Sequence, residues 1–320
     1  MHALIAPLSL LLERWQGYPP ALQARIGHPV MWIGALLSGL EARLYKDGQS
    51  PQQRRARGMA AMLVVLLVTL AVTVAIQQIL RLVPLGWLLE MVLATSFLAQ
   101  KELGRAVQAV ADALRTSLDA GREAVSHIVG RDPQQLDAAG VSRAAVETLA
   151  ESTSDGVVAP WFWLVLFGLP GIAAYKAINT ADSMIGHKNA RYIDYGWAAA
   201  RLDDLVNLVP ARLSAVLITM ACFFVSGASP SRAWQAATRD AKKHRSPNSG
   251  WPEAAFAGAL GLSLGGPRSY DGEAVDLPTM GQGETRLGPY HIGRALELYR
   301  MTLNVLLGVS ALVALSVAFG

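Results

Sequence analysis

The sequence predicts an all-α, polytopic integral membrane protein, and three observations carry that prediction. Only 16% of the 320 residues are charged while 52% are hydrophobic, against about 25% charged in an ordinary soluble domain, so the chain cannot clothe itself in a solvated surface. Residues 59–80 and 301–319 each run without a charged residue, longer than the roughly 18 apolar residues a helix needs to cross the hydrocarbon core. The other apolar stretches are interrupted by Pro, Gly and ionisable residues, which membranes tolerate where they line a cavity or abut protein. The single cysteine, Cys222, excludes an internal disulfide framework and a multi-cysteine metal centre.

Residues 1–58 begin with an apolar stretch, Leu4 to Leu12, that lacks the basic start and cleavage site of a signal peptide and reads as an amphipathic or partly inserted helix. A basic loop follows (Arg43, Lys46, Arg54, Arg55, Arg57), which the positive-inside rule places in the cytoplasm. Residues 59–100 read as a transmembrane hairpin turned at Pro84-Leu85-Gly86, with Glu90 in its second arm. Residues 101–156 are charged and Ala-rich, with Leu103, Val107, Val110 and Leu114 at helical spacing, a break at Arg131-Asp132-Pro133, and a second helix through Val141, Ala145 and Leu149 that Ser142 is expected to cap. This is the expected cytoplasmic helical insert. Residues 157–228 hold two broken membrane helices around a polar loop. The first is interrupted by Pro160 and by Gly168–Gly171, and the second carries Pro210 and Arg212. Broken or re-entrant helices are therefore expected here. Residues 229–300 form a polar region, basic at Arg232, Arg239, Lys242, Lys243 and Arg245 and then Gly-rich, and 301–320 the last transmembrane helix.

Polar residues crowd against the two broken segments. Glu151, Ser154 and Asp155 lie directly before Val157 and suit a hydrated Mg²⁺ with its phosphates, unless Ser154 or Asp155 caps the next helix. Lys176, Asn179 and Ser183 recur at helical spacing with Asp182 beside them, so one face offers a cation, an amide, a hydroxyl and a carboxylate; a lysine that merely snorkels would not need the others. Lys188, Arg191, Arg201, Asp203, Asp204 and Asn207 follow. Arg201–Asp204 and Asp203–Asn207 have the spacing of surface pairs, yet two adjacent aspartates enter an apolar helix that also carries Arg212. Asn248, Trp251 and Glu253 lie in a last polar cluster, before a small-residue stretch that allows close helix packing or close backbone approach to a ligand, and before Tyr270-Asp271-Gly272-Glu273. Neither GxxxxGK[ST] nor GxGxxG is present, and nothing indicates a nucleic-acid partner.

Four blocks, GHPVMWIG (27–34), ESTSDGVVAPWFW (151–163), YKAINTADSMIGHKNARYIDYGWAAARLDDLVNLVPARL (175–213) and SPNSGWPEAAFAGALGLSLGG (246–266), resemble in order the signature blocks of the adenosylcobinamide-phosphate synthase family of cobalamin biosynthesis. The resemblance spans nearly the whole chain. It implies a multi-pass enzyme of the bacterial inner membrane that uses ATP to join adenosylcobyric acid to (R)-1-aminopropan-2-yl phosphate, or in some members aminopropanol itself, releasing ADP and phosphate. Other membrane-associated enzymes of cobalamin assembly are implied as partners. The chain departs from the family pattern in two places. QGYPP (16–20) stands where a Gly-Asp-Pro element is usual, and Ser152 where Asn is frequent, leaving Glu151 and Asp155 to carry that corner.

Making an amide from a carboxylate requires its oxygen to become a leaving group, so ATP cleavage to ADP implies an acyl phosphate. On this implied reaction Glu151, Asp155, Asp182, Asp203 and Asp204 are expected to ligate Mg²⁺, and Lys176, Lys188, Arg191 and Arg201 to stabilise the transferring phosphoryl group. Ser154, Asn179, Ser183, Asn248 and Trp251 are expected to bind substrate or nucleotide. His28 or Glu253 would take the proton of the attacking ammonium. Trp251, Tyr270 and Tyr290 are candidates to stack on the corrin, against the commoner use of aromatics in interfacial belts. If both broken segments span, the 179–204 loop faces away from cytoplasmic ATP; if the first is re-entrant, every motif faces the cytoplasm, which the chemistry favours. A transporter or a regulatory sensor of a phosphorylated or corrinoid ligand is the rival reading. No inverted hydropathy repeat supports the first, and the acidic and basic motif residues oppose the second.

Overall fold

The computed structural model describes residues 2–130, 132–266, 268–270, 273–275 and 278–319, with backbone alone for 268–270 and 273–275. The chain is nearly all helix. It opens with α1 (His2–Gln16), α2 (Pro20–Ile26) and α3 (Pro29–Leu44). Pro20 and Pro29 stand in first turns, where a missing N–H costs nothing. α4 (Pro51–Arg81) starts at a capping box, Gln53 N–H donating to Ser50 Oγ and Ser50 N–H to Gln53 Oε1. It leaves Leu63, Leu67, Val72 and Ile79 exposed, as a lipid-facing helix does. α5 (Gly86–Thr95) returns from the Pro84 turn, so the hairpin forms, but its second arm ends after 10 residues. That is about 15 Å of helix, half the hydrocarbon thickness of roughly 30 Å.

α6 (Gln100–Thr116), α7 (Leu118–Ser126) and α8 (Ala138–Thr153) bear out the helical character of the insert. The cap of α8 is Asp137, which accepts from Gly140 N–H at 2.7 Å, and not the expected Ser142, whose hydroxyl donates to Ala138 O inside the helix. α8 does not stop where capping by Ser154 or Asp155 would require. A π-turn, Ser154–Val158, carries it into α9 (Ala159–Ile185), and this wider turn makes room upstream of Pro160. The break falls at Gly168, whose φ of +67° no β-carbon-bearing residue adopts cheaply.

After α9 come α10 (Tyr192–Tyr195), α11 (Trp197–Val206), α12 (Leu208–Ala221), α13 (Pro230–Asp240), α14 (Gly250–Leu260) and α15 (Pro289–Phe319). Two short antiparallel ribbons depart from the all-α expectation. β1 (Leu264–Gly265) pairs with β4 (Thr279–Met280), Leu264 opposite Met280, and β2 (Arg268–Tyr270) pairs with β3 (Glu273–Val275). Among the described residues, three helices are long and apolar enough to cross a membrane: Pro51–Arg81, Ala138–Ile185 and Pro289–Phe319. The two helices either side of Asn207 add a fourth if counted as one span.

The elements gather into two compact units. The first comprises Met1–Ala99, Ala159–Asn207 and Ser310–Gly320; the second comprises Gln100–Val158 and Leu208–Val309. The first is cored by Ile5, Leu10, Leu37, Val65, Leu164 and Ile172 from α1, α3, α4 and α9. Inside it, Trp161 Nε1 donates to Ser310 Oγ at 2.8 Å. In the second, α13 and α14 pack through Ala233, Ala236, Ala237, Ala254 and Ala257, so here the small residues serve close helix contact.

Candidate functional site

In the first unit, the part of α9 beyond its break carries Lys176, Asn179, Asp182 and Ser183, and α11 carries Arg201, Asp203 and Asp204. Lys176 Nζ donates to Asn179 Oδ1 at 3.2 Å, and Asn179 Nδ2 to Asp203 Oδ1 at 3.4 Å. Asn207 Nδ2 donates to Asp203 Oδ2 at 3.0 Å, and Tyr175 OH in turn donates to Asn207 Oδ1 at 3.0 Å. Two neutral amides thus hold the Asp203 carboxylate, while Asp182 and Asp204 bring like charge to bear on it. Arg201 and Lys188 are the cations that act on Asp204. Ser183 uses its hydroxyl within the helix, donating to Asn179 O at 2.9 Å.

The turn after α9 docks on α4 because Gly58 lets the Tyr195 carbonyl approach to where a β-carbon would sit. Arg191 grips Glu41 through Nη2 at 2.8 Å and Nε at 3.1 Å and lies over the rings of Tyr45 and Tyr192. It anchors the turn to α3. His28 caps α3, its Nδ1 accepting from Val30 N–H at 3.2 Å, and its ring meets Tyr18 edge-on. Burial, and then the Lys176 charge, lower the His28 pKa below its ordinary value and so favour the neutral ring. With Nδ1 accepting, the proton of the neutral ring sits on Nε2. The Nδ1 position of His28 is thus already taken up by the backbone, and Nε2 is the ring nitrogen left to meet a substrate.

The second unit holds the other candidates. Ser249 Oγ donates to Glu151 Oε1 at 2.8 Å. Arg212 Nη1 donates to Asn248 Oδ1 and to Leu208 O, each at 2.9 Å, and its guanidinium lies 4.9 Å over the Trp251 ring. Glu253 is buried with Oε1 3.7 Å from His244 Nε2. Ser154 is only 1% exposed, and its hydroxyl has no hydrogen-bond partner among the described residues. Asp155, in the same π-turn, is half-buried. Tyr290 stands exposed at the start of α15, and the side chains of Tyr270 to Glu273 lie outside the described residues.

Residues 6–299 match the profile of the family described as CobD/Cbib protein. The chain belongs to the CobD/Cbib family. A Sinorhizobium sp relative named cobalamin biosynthesis protein CobD is 46% identical over 98% of both chains. Proteins of the same name from Rhodobacter capsulatus (48% identical over 93% of both chains) and Rhizobium meliloti (50% identical over 87% of this chain and 86% of its own) are also similar. No solved structure matches. The resemblance carried by the motif blocks is thus upheld, and the chain is a membrane protein of cobalamin biosynthesis.

Among the described residues of this CobD/Cbib chain, no group of three or more His, Cys, Asp and Glu side chains is arranged to hold a metal ion. Mg²⁺ needs fewer, because it takes one or two carboxylates and completes its shell with phosphates and water. The facing Asp182 and Asp203 fit that requirement. Glu151 and Asp155 belong to the second unit. Sequence reasoning passed over two buried carboxylates there. Asp240 is fully buried and accepts from Arg239 Nε at 2.8 Å, Lys243 Nζ at 2.7 Å and Gly281 N–H at 3.0 Å. Burial pushes its pKa up, but these donors outweigh that and bring it down to about 2. Glu147 accepts from Gly265 N–H at 2.7 Å. Each pins a glycine loop to a helix, and the only signal in the sequence was an acid inside an otherwise basic or apolar stretch.

Proposed function

We propose that this CobD/Cbib chain is the ATP-dependent ligase of the bacterial inner membrane that joins adenosylcobyric acid to (R)-1-aminopropan-2-yl phosphate, with Mg²⁺ as its ion. The observation that supports this reading is the line Lys176–Asn179–Asp203, with Asp182, Asp204, Arg201 and Lys188 around it. Fixed cations beside crowded carboxylates are what phosphoryl transfer asks of a protein, since positioning and electrostatics supply most of its catalysis.

The corrinoid carboxylate takes the γ-phosphoryl group of ATP, giving an acyl phosphate and ADP. The neutral amine then attacks the acyl carbon, and the departing phosphate carries off the proton that the nitrogen sheds. Lys176, Lys188 and Arg201 supply positive charge to the phosphoryl oxygens, and Nε2–H of His28 donates to an oxygen of the reacting group. Asp182 and Asp203 would hold Mg²⁺, which when bound neutralises phosphate charge. Asn179 and Asn207 orient Asp203, and Arg191 fixes the turn through Glu41. Asn248, Trp251 and Ser154 of the second unit bind substrate in this reading, with no reaction step assigned to them. The polar loop faces the cytoplasm, where ATP is. Modification of an Asn189→Cys variant by an impermeant reagent in intact cells would refute that placement.

The test is an assay of purified, detergent-solubilised protein with both substrates, ATP and Mg²⁺, following corrinoid product and ADP together. The two should appear in step. Folded protein that binds the corrinoid yet forms neither would overturn the reading in favour of transport or sensing.

A further inference from the structure

Glu90 is a carboxylate in a membrane hairpin, only 2% exposed, and the proposed reaction does not use it. An ionisable residue at membrane depth is expensive and is retained for a reason. Its surroundings show one. Gln77 Nε2 of α4 donates to Glu90 Oε1 at 2.6 Å, His2 Nδ1 of α1 lies 3.6 Å from the same oxygen, and the Leu169 backbone N–H is directed at the carboxylate. Leu169 is the first residue after the Gly168 break. The break leaves the second half of α9 with orphan N–H groups, which water cannot satisfy inside a bilayer. Pro170, lacking an N–H, removes one of them. A β-carbon on Gly168 would lie 2.5 Å from the His2 ring and 2.8 Å from Gln77 Nε2, so the break and the polar cluster are built around each other.

We infer that Glu90 caps the buried half of α9 from a neighbouring helix and thereby sets the position of the face that carries Lys176, Asn179, Asp182 and Ser183. A carboxylate at a helix N-terminus satisfies a donor and complements the dipole together. Glu90 is in this sense a positioning residue. The inference rests on the reading of that face as the reaction site, and its test has a readout independent of turnover.

The full-length protein in detergent carries Ser183→Cys in a Cys222→Ser background, and maleimide labelling reports the exposed position 183. Glu90→Gln keeps a carbonyl acceptor for Leu169 and is expected to label and turn over within about twofold of the parent. Glu90→Leu keeps volume and removes the acceptor; labelling should change severalfold and kcat fall roughly tenfold or more with KM little altered, as misplacement of a catalytic face produces. Glu90→Leu protein that melts like the parent and labels at the parent rate would overturn the inference. So would Glu90→Gln behaving as Glu90→Leu, because charge and not capping would then matter. Where Glu90→Leu fails to fold, Gln77→Leu decides: a twofold to threefold change in labelling supports the cap, and none overturns it. Turnover is measured with Ser183 and Cys222 intact and labelling in the Ser183→Cys background; if the protein with Ser183 intact lacks synthase turnover, the proposed function fails, while the labelling still judges Glu90.

Discussion

Asp203 in the first unit and Asp240 in the second are both aspartates drawn into helical packing, and their surroundings are opposite. Asp240 has two cations and a backbone N–H directed at it. Asp203 is held by the amides of Asn179 and Asn207 while Asp182 and Asp204 repel it. Opposite charge and full hydrogen bonding describe a carboxylate whose task is to hold the fold. Crowded like charge, restrained by neutral groups, describes one whose surroundings are arranged for something other than stability. Glu147, bound to the Gly265 N–H, follows Asp240; the Lys176–Asp203 line stands apart from both.

The largest expected effect tests that contrast directly. Asp203→Asn should lower synthase turnover by about a hundredfold or more, the scale of losing one electrostatic group in a reacting site. Its melting temperature should stay level or rise, since a repulsive charge is gone. A folded Asp203→Asn enzyme with parent activity would break the comparison. Asp240→Ala should do the reverse. Its loss of hydrogen bonds from charged donors costs about 2 kcal/mol of stability, read by thermal or denaturant unfolding, with kcat per folded molecule unchanged.

Asp240 also predicts a pH dependence. Its pKa falls from 3.8 to about 2 on folding, so its contribution is complete above about pH 4 and is lost as pH falls toward 2. The contribution is on the order of 2 kcal/mol. Unfolding midpoints measured down that range should drop in the parent and flatten in Asp240→Asn. The smallest effect is expected at Ser154. Its hydroxyl is buried without a partner among the described residues, so Ser154→Ala should leave stability level or slightly raised. A severalfold rise in KM would mark the hydroxyl as a substrate contact, and unchanged kinetics would remove Ser154 from the binding residues.

Much of the fold was legible because its signals are local. Glycine among apolar residues marks the break at 168, Pro84 and Gly86 mark the hairpin turn, and Leu103, Val107 and Leu114 mark one face of α6. The cap of α8 was misassigned because Ser142 and Asp137 both suit the role, and only the backbone path selects between them. The candidate site was half legible. Lys176, Asn179 and Asp182 share a helix, so 3.6-residue periodicity groups them. Asn179 meets Asp203 across 24 positions of sequence, which no local period reports.

By itself the sequence determined that the chain enters a membrane, where its helices break, and which side chains are chemically equipped to handle phosphate. These follow from transfer energies and backbone preferences that each residue carries with it. Tertiary structure alone decided which groups those side chains meet. Arg191 meets Glu41, His28 Nδ1 meets the Val30 N–H, and Glu90 meets Gln77 beside the Gly168 break. Hydrogen bonds and Coulomb forces act over a few ångströms of space, and only the folded chain sets those distances.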